Sequence, residues 1–281
     1  MSSYEDYTRV ARHYDRTRRA VGAEIAVGCL AQAPSPLHET VVLDAGCGTG
    51  NYSRAVLGHV GRVEAVDGNP DMLRVARVKM AGEHDTGLVG FHEGDITALP
   101  FEDEVFDGAM VNQVLHHLSD DPGGGFPAHR AVLAEMARIL KPGGVLVVNT
   151  SSQRQLRHGY WYHDLIPGAA AAARSRFAPL DTLVHLLVDV GLDYSGRFAP
   201  LDALIQGEAY FDARGPLRQA WRDGDSTWSL LSPPALERAL ARVRELDERG
   251  RLEGYLRHHD ASRPDFGQVT FLLAFRPPRP G

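Results

Sequence analysis

The sequence predicts an α/β protein built on a doubly wound, mostly parallel seven-stranded sheet. Three observations predict it. Short apolar runs alternate with helical segments between residues 40 and 150, the rhythm of parallel strands covered by helices on both faces. The first run ends in a glycine cluster, Gly46-Cys47-Gly48-Thr49-Gly50, where the backbone can turn sharply and approach a ligand without Cβ atoms in the way. After residue 150 the rhythm breaks, and a mainly helical stretch separates two late apolar runs.

In chain order, residues 4 to 31 read as helical: Tyr4, Tyr7, Val10, Ala11 and Tyr14 recur at helical spacing, and Val21 to Leu30 is apolar enough to pack. Ala33-Pro34-Ser35-Pro36 ends this region, because proline cannot continue a helix. Strands are expected at Thr40 to Asp44, Arg62 to Asp67, Leu88 to Asp95, Phe106 to Leu115 and Val145 to Asn149. Between them, helices are expected at Asn51 to Leu57, Pro70 to Ala81 and Ala131 to Leu140. Pro70 suits a helix start, and Lys141-Pro142-Gly143-Gly144 stops the third helix with a cation and two breakers. Leu180 to Val190 reads as a helix, residues 192–199 as the sixth strand, Ala235 to Leu246 as the clearest helix of an insertion, and Gln268 to Phe275 as the seventh strand. The domain layout is then a helical N-terminal lid (1–36), a ligand-binding core (37–151), a helical cap segment with the sixth strand (152–204), a helical insertion (205–266) and a last strand with its tail (267–281).

Composition narrows the function. The 281 residues, 43 % hydrophobic and 23 % charged, suit one core domain with an insertion. A net charge of −6, with only a short arginine cluster (Arg16, Arg18, Arg19), disfavours nucleic acid as partner. No apolar run is long enough for a membrane span. Cys29 and Cys47 form no paired motif, so a reducing cytoplasm is the expected location.

The glycine loop follows a strand and opens a helix. Asp44 ends the strand before it. Asp67 ends the next strand, about 20 residues on, where a carboxylate accepts from ribose hydroxyls. The pair also fits a nicotinamide dinucleotide. The glycine pattern discriminates: dinucleotide sites read G-x-G-x-x-G, whereas here it is G-x-G-x-G, with Asn51 at the third dinucleotide position.

Five segments in order carry a wider resemblance: Asp44 to Gly50, Asp67, Gly94-Asp95-Ile96, Val111-Asn112-Gln113-Val114-Leu115-His116-His117, and Leu140-Lys141-Pro142-Gly143-Gly144. Over residues 40 to 151 the chain resembles the class I S-adenosylmethionine-dependent methyltransferases. It is most similar to the small-molecule branch of quinone-biosynthesis and natural-product enzymes. The resemblance implies a Rossmann-like fold and S-adenosyl-L-methionine as cofactor. Gly46, Gly48 and Gly50 would wrap the methionine portion, Asp44 would meet its ammonium, and Asn112 would offer a backbone carbonyl there. Asp67 would hold the ribose, Asp95 the adenine amino group, and Ile96 and Met72 would pack on the adenosine side. The family usually has an apolar residue after the ribose carboxylate; here it is Gly68. Tyr7 and Tyr14 would either close over the cofactor or face the core. The resemblance implies methyl transfer to a small-molecule acceptor; the sequence leaves open other sulfonium chemistry, aminocarboxypropyl transfer or cyclisation, while the complete motif set argues against a protein that binds the cofactor without turnover. The motifs of DNA methyltransferases are missing: neither an Asn- or Asp-Pro-Pro-aromatic run nor a Pro-Cys dipeptide occurs.

Methyl transfer is an in-line displacement, in which positioning alone lowers the barrier by ~7–11 kcal/mol. A base is needed only for some acceptors. His116 and His117, just after the fourth strand, are the candidates; the alternative is that one caps the next turn and the other packs. Adjacent histidines without a nearby carboxylate pattern are poor zinc spacing, so no metal is expected. The aromatic clusters Tyr160-Trp161-Tyr162-His163 and Trp221 to Trp228 are candidate walls for a small-molecule acceptor. Tyr160, Trp161, Trp228 and Arg222, the last as partner for an acceptor carboxylate, are the residues expected there. The alternative is that Asp225 or Ser226 caps a helix and the tryptophans fill a small core.

Overall fold

The structure, a computed structural model, describes residues 19–118, 120 and 124–279. The expectations for Tyr7, Tyr14 and most of the N-terminal lid lie outside the described residues.

Seven strands form one sheet: β1 (Val41–Ala45), β2 (Arg62–Asp67), β3 (Val89–Glu93), β4 (Phe106–Asn112), β5 (Leu140–Thr150), β6 (Asp193–Phe198) and β7 (Thr270–Phe275), in the order β3-β2-β1-β4-β5-β7-β6. The first five run parallel. The sheet is mixed, because β7 is antiparallel to both β5 and β6. The order reverses between β1 and β4, so the crevice at the carboxyl ends of β1 and β4 is the switch point where open α/β sheets bind ligands.

Helices cover both faces. Alternate strand residues divide between two cores. Val42, Val63, Met110 and Val147 face one side, with α1 (Ala23–Leu30), α2 (Asn51–Val56) and α3 (Pro70–Lys79). Leu43, Val66, Val111 and Leu146 face the other. Here α5 (Pro127–Ile139), which follows the short α4 (Ala81–Asp85), places Val132, Leu133, Met136 and Ile139 on the sheet. After β5 come α6 (Gln153–His158), a 3-10 turn (Trp161–Leu165), α7 (Pro167–Ser175) and α8 (Leu180–Asp189). Between β6 and β7 lie several 3-10 turns, α9 (Gln219–Arg222), α10 (Pro233–Glu248) and α11 (Leu252–Asp260).

Of the boundaries that differ from expectation, two are fixed by contacts near the site; elsewhere α5 starts at Pro127 rather than Ala131 and β3 is one residue shorter at its start and two at its end. β5 begins at Leu140, which pairs with Phe106, and continues through Lys141 to Gly144 with a register shift. The breaker motif ends α5 but becomes an irregular strand start, held by the Lys141 ammonium on Asp107 at 2.9 Å and by Gly143 N–H on the Arg276 carbonyl at 2.9 Å. β4 stops at Asn112, three residues early. Gln113 takes φ 51° and donates through its backbone N–H and its side-chain Nε2 to Asn149. That turn swings Leu115–His117 into a 3-10 turn off the sheet.

Candidate functional site

A cavity of about 560 Å³ opens at the carboxyl ends of β1, β2, β3 and β4. That is within the range that takes a drug-sized ligand. Parallel strands in register bring Asp44, Asp67, Asn112 and, just past β3, Asp95 to one rim.

Asp44 is wholly buried. Its carboxylate accepts from Ser53 Oγ at 2.6 Å and from Asn112 Nδ2 at 3.3 Å. Burial nonetheless pushes its pKa up to about 6, against those two hydrogen bonds. Beside it, Asn112 Oδ1 is buried without a partner among the described residues. A buried carboxylate and an orphaned carbonyl-type oxygen make a pair of acceptors with unmet capacity, suited to a cation that carries N–H donors.

Asp67 holds the glycine loop to the end of β2. Its Oδ2 accepts from Gly48 N–H at 2.7 Å and its Oδ1 from Asn69 N–H at 2.8 Å. Burial raises its pKa. Lone pairs remain on both oxygens for hydroxyl donors. Asp95 is more open. Thr97 N–H and Oγ both donate to its Oδ1, at 2.9 and 2.8 Å, and hold its pKa below the usual range. Ile96 and Met72, both buried, line the same cavity.

The glycine loop divides its work. Gly48, at φ 55°, faces open space where a Cβ would meet nothing within 4 Å. It lines the cavity with Gly46, whose φ of 75° and contact with Val114 leave no room for a side chain. Gly50 does not line the cavity. At φ 77° it caps α2, and a Cβ there would strike Met80 Cε at 2.4 Å. Its glycine is required by helix packing rather than by ligand approach.

His117 lines this cavity. His116 turns instead to a smaller neighbouring cavity and stacks on Phe177 with ring centroids 4.2 Å apart. Tyr160 lines that smaller cavity as well. Trp161, Arg222 and Trp228 line neither, which corrects their expected role. Trp161 is fully buried, with Nε1 donating to the Tyr210 carbonyl at 2.8 Å. The Arg222 guanidinium is spent internally, on the Pro216 carbonyl and Gln219 Oε1, each at 2.6 Å. Trp228 packs among Tyr162 and Trp221. Large aromatic area is worth most inside a core, and here it packs in one buried cluster with Val243, Leu246, Leu252 and Leu256.

Several lining residues were not anticipated. Arg19 and Val21 close the cavity from the N-terminal side, and Ile205 closes it from the segment after β6. Arg19 N–H meets the Ile205 carbonyl at 3.4 Å. The Tyr52 hydroxyl donates to the Val21 carbonyl at 2.8 Å and accepts from Asn149 Nδ2 at 2.6 Å. Arg19 was visible only as part of a charge cluster. Tyr52 and Ile205 carry no sequence signal, because tertiary packing alone brings them to the rim.

Residues 43–148 match the family described as a methyltransferase domain. Among curated relatives, the chain is 34 % identical over 151 residues to a malonyl-[acyl-carrier protein] O-methyltransferase of Serratia marcescens, covering 54 % of this chain and 53 % of the relative. It is 26 % identical over 174 residues to a demethylmenaquinone methyltransferase of Desulfitobacterium hafniense, covering 58 % and 66 %. The matches thus span between half and two thirds of those relatives' lengths. The fold matches the crystal structure of a putative methyltransferase from an antibiotic biosynthesis pathway of Anabaena variabilis, with a TM-score of 0.71 at 21 % identity, over 92 % of this chain and 99 % of that one.

Proposed function

We propose that this chain, whose residues 43–148 match the methyltransferase domain family, transfers a methyl group from S-adenosyl-L-methionine to a small-molecule acceptor by in-line displacement. One observation carries the reading. The wholly buried Asp44 carboxylate and the unpartnered Asn112 Oδ1 stand together at the switch point, on the rim that also holds Asp67 and Asp95. An amino acid's ammonium satisfies the first pair, with Gly46 and Gly48 beside it. Asp67 takes the ribose hydroxyls. Asp95, through the oxygen that Thr97 leaves, takes the adenine amino group, with Ile96 and Met72 against the ring. A nicotinamide dinucleotide is disfavoured, because its pyrophosphate would meet the Asp44 carboxylate where an anion is repelled.

The bound cofactor supplies an electrophilic methyl group. The protein's part is to bury the ammonium and to orient the sulfonium toward an acceptor under the cap. His117, on the wall of the same cavity, is the group we assign to accept a proton from the acceptor. His116, stacked on Phe177, is a wall of the neighbouring cavity. No helix of the described residues is long and apolar enough to cross a membrane. Two buried free cysteines suit a reducing cytoplasm, and the net charge of −6 suits an acceptor other than nucleic acid.

Calorimetry with S-adenosylmethionine and S-adenosylhomocysteine tests the cofactor site. Mass analysis after incubation with S-adenosylmethionine and cell extract tests the chemistry. S-adenosylhomocysteine together with a product heavier by one methylene unit supports methyl transfer. Methylthioadenosine would replace the proposal with transfer or cyclisation of the aminobutyrate arm. Binding without any product would leave a cofactor-binding protein.

A further inference from the structure

A smaller cavity, about 40 Å³, adjoins the large one and shares Gln113 and Ile205 with it as a common wall. It lies between the segment after β5, which contributes Tyr160 and His163, and the insertion, which contributes Gln206 and Asp225. Around it the protein buries polar atoms without partners among the described residues: both amide atoms of Gln206 and Nε2 of His163. These residues are 5 % and 6 % exposed. Burying an unpaired donor or acceptor is destabilising, so three such atoms around one space point to a ligand group that pairs with them.

The two side chains are held in place. Ile205 N–H donates to Gln268 Oε1 at 2.9 Å and Gly207 N–H to the Leu204 carbonyl at 2.9 Å, fixing the backbone on either side of Gln206. His163 Nδ1 lies 2.9 Å from the Leu156 carbonyl. A carbonyl only accepts, so Nδ1 carries the proton, and in the neutral ring Nε2 is an acceptor. Burial keeps the ring neutral by lowering its pKa, and Tyr160 stacks on its face at 4.6 Å. The charged groups lining the space, Asp225 and Arg176, have opposite signs. Asp225 already accepts from the Tyr162 hydroxyl and from Thr227 N–H, and its Oδ2 lies 3.9 Å from His163 Nε2.

We infer that this cavity receives the polar end of the methyl acceptor, and that this end is a neutral group with a carbonyl oxygen and N–H donors side by side, as in a primary carboxamide. Its oxygen accepts from Gln206 Nε2. One N–H donates to Gln206 Oε1 and the other to His163 Nε2. The volume admits about three water-sized atoms, the size of such a group, so the rest of the acceptor passes the Gln113–Ile205 wall into the large cavity. A carboxylate would leave Gln206 Oε1 and His163 Nε2 unpaired and would face Asp225. An ammonium would leave Gln206 Nε2 unpaired. The inference rests on the cofactor reading above.

The test is ligand-observed NMR on protein saturated with S-adenosylhomocysteine, using benzamide, benzoate and benzylamine as probes at equal concentration. Benzamide should give the strongest saturation transfer. Gln206→Met should weaken its binding roughly tenfold, the loss of a pair of hydrogen bonds. That variant removes two unpaired atoms and strands no partner, so it should melt at or above the wild-type temperature and bind S-adenosylhomocysteine within about twofold. Benzoate or benzylamine binding as well as benzamide overturns the inference. So does absent benzamide binding, benzamide binding unchanged in Gln206→Met, or a lowered melting temperature in that variant. Failure of S-adenosylhomocysteine to bind the wild type overturns the cofactor reading, and this inference with it.

Discussion

Asp44→Asn separates the stability of this protein from its ligand affinity, and the two effects should have opposite signs. Burial moves the Asp44 carboxyl from 3.8 to about 6. At about 1.4 kcal/mol per pH unit, ionising it in the folded protein at neutral pH costs ~3 kcal/mol. A carboxyl raised on folding favours the native state only when protonated. Its contribution is complete below about pH 4 and gone once pH rises past about 6. Asp44→Asn keeps the shape and one acceptor oxygen for Ser53; its amide nitrogen takes the place of the oxygen that accepts from Asn112 Nδ2, and a turn of the Asn112 side-chain amide presents its unpartnered Oδ1 to that new donor. The variant should therefore melt several degrees above wild type at about pH 7, at roughly 2–4 °C per kcal/mol. The gap should close by about pH 4. Affinity should go the other way. Removing the charged acceptor for the ammonium should weaken S-adenosylmethionine binding by ~1.5–3 kcal/mol at neutral pH. Wild-type affinity should itself fall as pH drops below about 6, because binding must then expel a proton from Asp44, whereas the variant's should be flat. Thermal melts and calorimetry across that pH range read both. A variant that melts below wild type at neutral pH would refute the burial argument. A wild-type affinity that ignores pH would refute the contact with the ammonium.

Asp67→Ala should weaken S-adenosylhomocysteine binding by ~1.5–3 kcal/mol in calorimetry, with the glycine loop loosened as well, since Gly48 N–H loses its acceptor. Trp228→Ala, at a site buried in the cap, should cost ~3–5 kcal/mol in denaturant unfolding and leave S-adenosylhomocysteine affinity unchanged in whatever fraction stays folded. His117→Ala should lower kcat by ~100-fold while cofactor affinity holds, and the deficit should shrink at high pH for an ionisable acceptor; wild-type turnover would leave positioning as the main contribution.

Much of this protein was legible in one dimension because the determining interactions are local. β2 was read to the residue and β1, α2 and α3 nearly so, since apolar periodicity, proline at a helix start and glycine at a turn act within a few residues of themselves. The rim of the large cavity was legible for a related reason. In a parallel sheet the ligand side is the carboxyl end of every strand, so Asp44 and Asp67 could be placed before any contact was known, whereas Asn112 followed only from the motif resemblance. The cap was not legible. An aromatic run such as Tyr160 to His163 has the same composition whether it walls a pocket or fills a core. Only the packing decided that Trp161 and Trp228 are core, that Arg222 is spent on the Pro216 carbonyl, and that Gln206 and His163, more than 40 residues apart, meet around a second cavity. Those outcomes depend on which buried polar atoms find partners across the fold. Nothing in the local sequence sets that: each such bond is closed, or left open, by a segment the chain brings in from far away.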